Sequence, residues 1–222
     1  MHPKTIAGHE LTPGKTIKDH IHVEGTELRV PHVFGLVRLD LLAAEQAELT
    51  ALDKHAGGSG FENRTMSMVY EDGKNLNRVF PGDRDGSEAD RLAHMLFEVF
   101  IRNVDAYIDL HSGDGYESLI PYCYYLGDTP AEETSKRMVT CVNTSYYVRS
   151  RCRTGGAYNL ASIHGIPSVL IERGQLSLFS REEVEADKAD VRNILRCLGV
   201  LDGKCVHYPK QQLLEYSDDY CC

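Results

Sequence analysis

Two apolar runs in this chain end in side chains that can do chemistry. Residues 104–110 (VDAYIDL) read as a strand that stops at His111, and residues 167–171 (PSVLI) read as a strand that stops at Glu172. In open α/β sheets, ligands gather outside the carboxyl ends of strands, because the loops there converge on a crevice. A histidine at such an end is either a structural or merely polar residue, or a metal ligand whose ring the strand holds while its lone pair points outward. Asp109 and Asp114 lie near enough in sequence to orient that ring. A carboxylate directly after an apolar strand is either solvated at the sheet edge or desolvated in a cleft. In a cleft its pKa rises, and it can shuttle protons near neutral pH.

A third feature is the segment 71–82 (EDGKNLNRVFPG). Asn77 and Arg78 are adjacent and suited to a substrate carboxylate, Arg78 through its bidentate fork. The plainer reading is a turn packed by Leu76 and Phe80, with Arg78 in a surface ion pair. Arg64, upstream, is a second candidate cation.

The elements that must position these groups alternate in type. Residues 1–30 read as short extended segments, in which His20, His22 and Glu24 share one face. Residues 39–54 are rich in Ala, Leu, Glu and Gln and read as a helix, ended by Gly57 and Gly58. Ser87 is placed to N-cap a second helix, with Glu88 and Asp90 near its positive end. Leu92, Met95, Leu96, Val99 and Phe100 then form one apolar face. An apolar run over 119–125, a polar helix near 131–143 and a strand near 145–149 follow. Ser180 caps a last helix through about residue 198, with Val184, Val191, Ile194, Leu195 and Leu198 inward. Strands alternating with helices predict an α/β sheet covered on both faces.

Composition narrows the partners. The 222 residues suit roughly one domain. Asp plus Glu outnumber Lys plus Arg by 33 to 24, a net charge of −9, and there is no basic run. That argues against a nucleic-acid partner, which needs clustered cations to neutralise phosphate. No apolar stretch reaches the ~18–20 residues of a membrane span, and the N-terminus has no signal-peptide core, so no membrane partner and a cytoplasmic location are expected. The seven cysteines lack CxxC spacing and read as scattered reduced thiols, not as a thiolate zinc knuckle or a disulfide framework.

Taken together, DGKNLNRVFPG, a capped helix, YIDLHSGD and IPSVLIERG, in that order over residues 60–201, resemble the succinylglutamate desuccinylase/aspartoacylase family of zinc carboxypeptidase-like amidohydrolases. The resemblance implies a three-layer α/β sandwich with a mixed, largely parallel sheet, and hydrolysis of the amide (or ester) bond of an N-acyl amino acid or similar small carboxylate. It implies Zn2+ as cofactor, with His111 a zinc ligand, Glu172 the general base that activates the zinc-bound water, and Asn77 and Arg78 holding the substrate's carboxylate. The division expected is N-terminal strands over 1–32, the α/β domain over 33–201 with an atypical segment at 33–60, and a C-terminal tail over 202–222.

The chain departs from the family at the first zinc motif, a His and a Glu separated by two residues. None of its ten histidines has Glu three positions later. Segment 33–60 offers one helix where the family has strands and that motif, and the family's β-rich C-terminal domain is also expected to be missing. Three readings follow: a zinc amidohydrolase with ligands supplied elsewhere, such as His20, His22 and Glu24; an inactive member that binds a small carboxylate; or an internally deleted product. With His111 alone of the three expected ligands, zinc is expected to be held weakly or not at all, since a catalytic zinc has three protein ligands.

Overall fold

The computed structural model describes the side chains of residues 63, 65, 67–176, 178 and 180–214, together with the backbone of Glu215 and of four short strands before residue 29. The chain divides into two compact units, Met1–Asp105 with Gly155–Ala157, and Ala106–Thr154 with Tyr158–Cys222. In the first, β1 (Thr5–Ile6) pairs antiparallel with β2 (His9–Glu10), and β3 (Ile21–Val23) with β4 (Thr26–Leu28). The polar face expected of His20, His22 and Glu24, the helix over 39–54 and Arg64 lie outside the described side chains.

The first unit also holds α1 (Glu88–Val99). Ser87 is its N-cap, and the Asp90 carboxylate reaches back to accept the Ser87 backbone N–H at 3.0 Å. Leu92, Leu96 and Phe100 are buried as expected. Ala89, Ala93 and Phe97 replace Met95 and Val99 beside them, so the buried stripe follows two i,i+4 rows instead of the predicted one.

The segment 71–82 is tied to this helix by its own polar residues. Asp72 accepts from the Ser87 hydroxyl (2.7 Å), the Ala89 N–H (2.8 Å) and the Lys74 N–H (3.0 Å). The Lys74 ammonium meets Asp90 at 2.5 Å. Burial pushes the Asp72 carboxyl up, but the Ser87, Ala89 and Lys74 hydrogen bonds outweigh it and hold it below its ordinary value. Hydrogen bonds from Lys74 and Ser87 lower Asp90 in the same way. Because folding favours both anions, the stability they contribute is complete above the ordinary value of 3.8 and is lost as the pH falls through the lowered folded values. Asp72→Asn is expected to cost about 1 kcal/mol at neutral pH and to flatten this acid loss. Urea midpoints measured from neutral pH into the acid range check both.

The second unit is built on one sheet. β5 (Tyr107–His111), β6 (Tyr122–Leu126), β7 (Tyr146–Ser150), β8 (Ser168–Glu172) and β9 (Gln212–Glu215) lie in the order β5-β8-β6-β7-β9. The β5–β8, β6–β7 and β7–β9 pairs are parallel and β6–β8 is antiparallel, so the sheet is mixed and mostly parallel. Val169 and Ile171 of β8 join Cys123, Tyr125, Met138, Val142 and Ile194 in one cluster. Leu170 faces the other way, with Leu126 and Tyr158. The first cluster takes its helical side chains from α2 (Glu132–Val139) and α4 (Arg181–Cys197), the second from α3 (Ala157–Ile163). Helices therefore cover both faces, which is why β8 reads as an unbroken apolar run. The fold is the expected α/β sandwich.

Ser180 caps α4 as expected, its Oγ accepting the Glu183 N–H at 3.1 Å. The inward face differs. Ile194 and Leu195 are buried, but Val184 is exposed, and Asp190 and Asn193 are buried in its place. Among the described cysteines, Cys123, Cys141, Cys197 and Cys205 are free thiols, whereas Cys152 is disulfide-bonded, which corrects the reading of reduced thiols throughout. Among the described residues no helix is long and apolar enough to cross a membrane.

Candidate active site

The β5–β8 register sets His111 opposite Glu172, the last residues of two adjacent parallel strands. The ladder runs on past them: the Arg173 N–H donates to the His111 carbonyl at 3.0 Å, and the Gly113 N–H to the Gly174 carbonyl at 3.1 Å. With side chains alternating along each strand, Asp109 and His111 share a face. His111 Nε2 lies 3.5 Å from Asp109 Oδ2, and Nδ1 lies 3.6 Å from Glu172 Oε1. Asp109 is buried; His111 and Glu172 are partly open, at 24% and 15% side-chain exposure, so solvent and ligand can reach the pair. Asp114 has a different task, accepting the Tyr116 N–H at 3.0 Å in the turn that follows.

Two neighbours carry no sequence motif. Tyr122 pairs with Glu172 across the antiparallel β6–β8 ladder. Burial, Tyr124 and the Glu172 charge all push its phenol up, so it stays a neutral donor. Arg173 is buried and bridges Asp187 at 2.5 Å and Asp190 at 2.6 Å, fastening the segment after Glu172 to α4. Asp190 also accepts the Asn143 N–H at 2.8 Å. In sequence Arg173 looks like a solvated strand end; only the three-residue spacing of Asp187 and Asp190, which puts both on one face of the helix capped by Ser180, hints that a helix brings carboxylates to it.

Asn77 and Arg78 belong to the first unit, on a single turn of 3-10 helix (Leu76–Arg78) capped by Asn75, whose Oδ1 accepts the Asn77 N–H at 2.8 Å. Asn77 Oδ1 accepts the Ala157 N–H at 2.8 Å and so fixes residues 155–157. Gly155, at φ +73°, leaves room for this approach: a Cβ there would lie 2.5 Å from the Arg78 carbonyl oxygen. Arg78 is exposed, donates to the Asn77 carbonyl at 2.9 Å, and has no carboxylate partner among the described residues, in contrast to the surface ion pair of the plainer reading.

Among the described residues, the donor set at the strand ends does not complete a catalytic zinc site. His111 supplies one imidazole, and each of its ring nitrogens already faces a carboxylate. Among the described residues the one group of three ligand side chains within mutual reach is Cys141, Cys205 and His207, and His111 is not in it.

Residues 41–198 match the family model of the succinylglutamate desuccinylase/aspartoacylase catalytic domain. A 59-residue stretch is 45% identical to the N-alpha-acetyl-L-2,4-diaminobutyric acid deacetylase of Halomonas elongata, covering 27% of this chain and 16% of that protein. Among solved structures, the chain is similar to the product-bound ectoine utilization protein EutE (DoeB) of Ruegeria pomeroyi, at a TM-score of 0.67 and 24% identity over 82% of this chain and 57% of that one. It is also similar to a succinylglutamate desuccinylase/aspartoacylase of Rhodobacter sphaeroides, at a TM-score of 0.62 and 21% identity over 73% of this chain and 50% of that one. The chain thus spans about half the length of these solved relatives.

Proposed function

The chain belongs to the succinylglutamate desuccinylase/aspartoacylase family, and we propose that it hydrolyses the amide (or ester) bond of a small N-acylated amino acid with Glu172 as general base. The observation that carries this reading is the register that sets His111 beside Glu172 at adjacent strand ends. The relatives' names agree on the chemistry: one removes acetyl from diaminobutyric acid, others remove succinyl from glutamate.

The proton steps follow from the residues present. As water attacks the acyl carbon, the new C–O bond forms and the water's proton passes to Glu172. Collapse then breaks the C–N bond, and Glu172 returns that proton to the leaving amine, giving a free amine and a carboxylic acid that loses its remaining proton to solvent. His111 faces one oxygen of Glu172 at 3.6 Å, which leaves the other for the water. Tyr122 is a neutral donor for the charge that develops on the acyl oxygen. Zinc is the metal the resemblance implies and His111 its ligand; since the described residues do not complete a ligand set, no step is routed through it.

Arg78, beside Asn77, is the fork for a small carboxylate; Arg64, a second candidate cation, lies outside the described side chains. Arg78→Lys keeps the charge but loses the planar pair of donors. Losing one charge-assisted hydrogen bond is expected to weaken an acylated amino acid roughly tenfold. Calorimetric titration of N-acetyl and N-succinyl amino acids against both proteins checks this, with Arg102→Lys as a surface control. Equal affinities would return Arg78 to the turn alone.

A second reading, a family member that binds a small carboxylate without turnover, is favoured by one observation: no histidine has Glu three residues later. Assaying free amine released from N-acetyl and N-succinyl amino acids, with zinc supplied, separates the two. Release supports the hydrolase; Arg78-dependent binding without release supports the second reading.

A further inference from the structure

We propose that Cys141, Cys205 and His207, with Cys197 beside them, bind a thiophilic divalent cation of the zinc class at a site separate from the His111–Glu172 pair. The ligand atoms of Cys141, Cys205 and His207 all lie within 4.8 Å of one another. Cys141 Sγ is 3.1 Å from Cys205 Sγ and 3.8 Å from His207 Nδ1, and Cys205 Sγ is 3.7 Å from His207 Nε2. A tetrahedral zinc with bonds of ~2.3 Å to sulfur and ~2.1 Å to nitrogen separates its ligands by about 3.5–3.8 Å. The Cys205 Sγ–His207 Nε2 distance already matches, and the two sulfurs need to part by a little over half an ångström. The Cys197 thiol lies 3.9 Å from the Arg137 carbonyl, which the Cys141 thiol meets at 3.3 Å, so it stands beside the group as the candidate fourth ligand.

The chain holds these groups in place without a cation. Cys141 follows α2, Cys197 ends α4, and Cys205 and His207 lie on the segment between α4 and β9. Buried Asn193 staples the two sides: its Nδ2 donates to the Cys141 and Val206 carbonyls, each at 2.7 Å, and its Oδ1 accepts the Val206 N–H at 2.9 Å. The Tyr208 N–H donates to the Thr140 carbonyl at 3.0 Å. His207 has an orienting partner as well. Thr140 Oγ1 donates to the Arg137 carbonyl at 2.7 Å, so its oxygen is left to accept from His207 Nδ1–H at 2.9 Å. That tautomer puts the lone pair on Nε2, ready for a cation. Arg137, whose guanidinium donates to the Cys197 carbonyl at 3.2 Å, supplies positive charge beside a thiolate-rich site.

Access and position agree with this assignment. Cys141 is buried, Cys197 and Cys205 are half-buried and His207 is exposed, so a cation enters from solvent past the imidazole. Cys141, Cys197 and Cys205 pack with the Val169–Ile171 cluster on the α2/α4 face of the sheet. Glu172 alternates with Ile171 and so belongs to the opposite face. On binding, each ligating thiol exchanges its proton for the metal and releases it to solvent. The bound ion would clamp the chain leading to edge strand β9 onto the ends of α2 and α4.

Titrating the reduced full chain with Co2+ tests this. Expected are sulfur-to-cobalt charge-transfer absorption and tetrahedral d–d bands, saturating at one equivalent and abolished by competing Zn2+. His111→Ala and the double variant Cys221→Ser, Cys222→Ser keep the bands, whereas Cys205→Ser loses them. In the wild-type chain, which avoids any folding defect of a variant, Zn2+ is expected to slow alkylation of Cys197 and Cys205 at least tenfold, read by mass spectrometry. No thiolate bands at stoichiometric Co2+, bands that persist in Cys205→Ser, or an alkylation rate indifferent to Zn2+ would each overturn the assignment.

Discussion

Arg173→Met is expected to lose about 3–5 kcal/mol of folding stability, because removing one partner of a buried ion pair leaves the other charge uncompensated. The charge left behind is Asp190, whose side chain is 3% exposed, together with the more open Asp187 at 24%. Burial already pushes the Asp187 carboxyl up despite the attraction of Arg173, so it has little tolerance for losing that cation. The loss is not inherent in the site's being polar. Replacing both ends of such a pair at once is far milder than replacing one, so Arg173→Met with Asp190→Asn is expected to recover much of the stability, since the Asn143 N–H keeps an amide oxygen to donate to. Urea midpoints of the three proteins provide the comparison. A single variant as stable as wild type would mean that water reaches Asp190 freely.

What the sequence made legible divides along physical lines. The strand ends at His111 and Glu172 were readable because an apolar run must stop where its last side chain turns polar, and the α/β class followed from alternation. The Ser87 and Ser180 caps were readable because their partners, Asp90 and Glu183, stand three residues away. Interactions between distant segments were not. Asp187 and Asp190 reach Arg173 from the middle of α4, whereas periodicity puts Val184 inward, since apolar spacing alone does not register a buried cation that draws carboxylates to its side of a helix. The thiol cluster was hidden for a similar reason. Cys141, Cys197 and Cys205 are 56 and 8 residues apart in turn, with no CxxC among them, and only the close of α4 against the turn after α2 brings them together. Strand β9 was missed because QLLE is short, and its leucines are largely exposed on an edge strand. The type and position of Asn77 suggest a ligand for substrate, and its Oδ1 also has a structural task in holding residues 155–157.

The second large effect is at Glu172. Gln has the same shape and keeps the register with His111, but it cannot accept the water's proton or return it to the amine. General-base catalysis of this kind contributes roughly a hundred- to ten-thousand-fold to the rate, so kcat is expected to fall by that factor in Glu172→Gln. Binding through Arg78 does not depend on the carboxylate's proton, and the affinity for the acylated amino acid is expected to change little. The loss should therefore appear in kcat and not in KM. Thermal unfolding should also stay close to wild type, because Glu172 is partly open and its neighbours remain partnered.

The most direct measurement is the rate of amine release from an N-acylated amino acid by wild type and Glu172→Gln, with zinc supplied to both and folding verified. Release by wild type, with a fall of at least a hundredfold in the variant at unchanged affinity, is the outcome expected if the His111–Glu172 strand ends are the reacting centre. Equal rates in the two proteins, or no release by wild type at all, would contradict it.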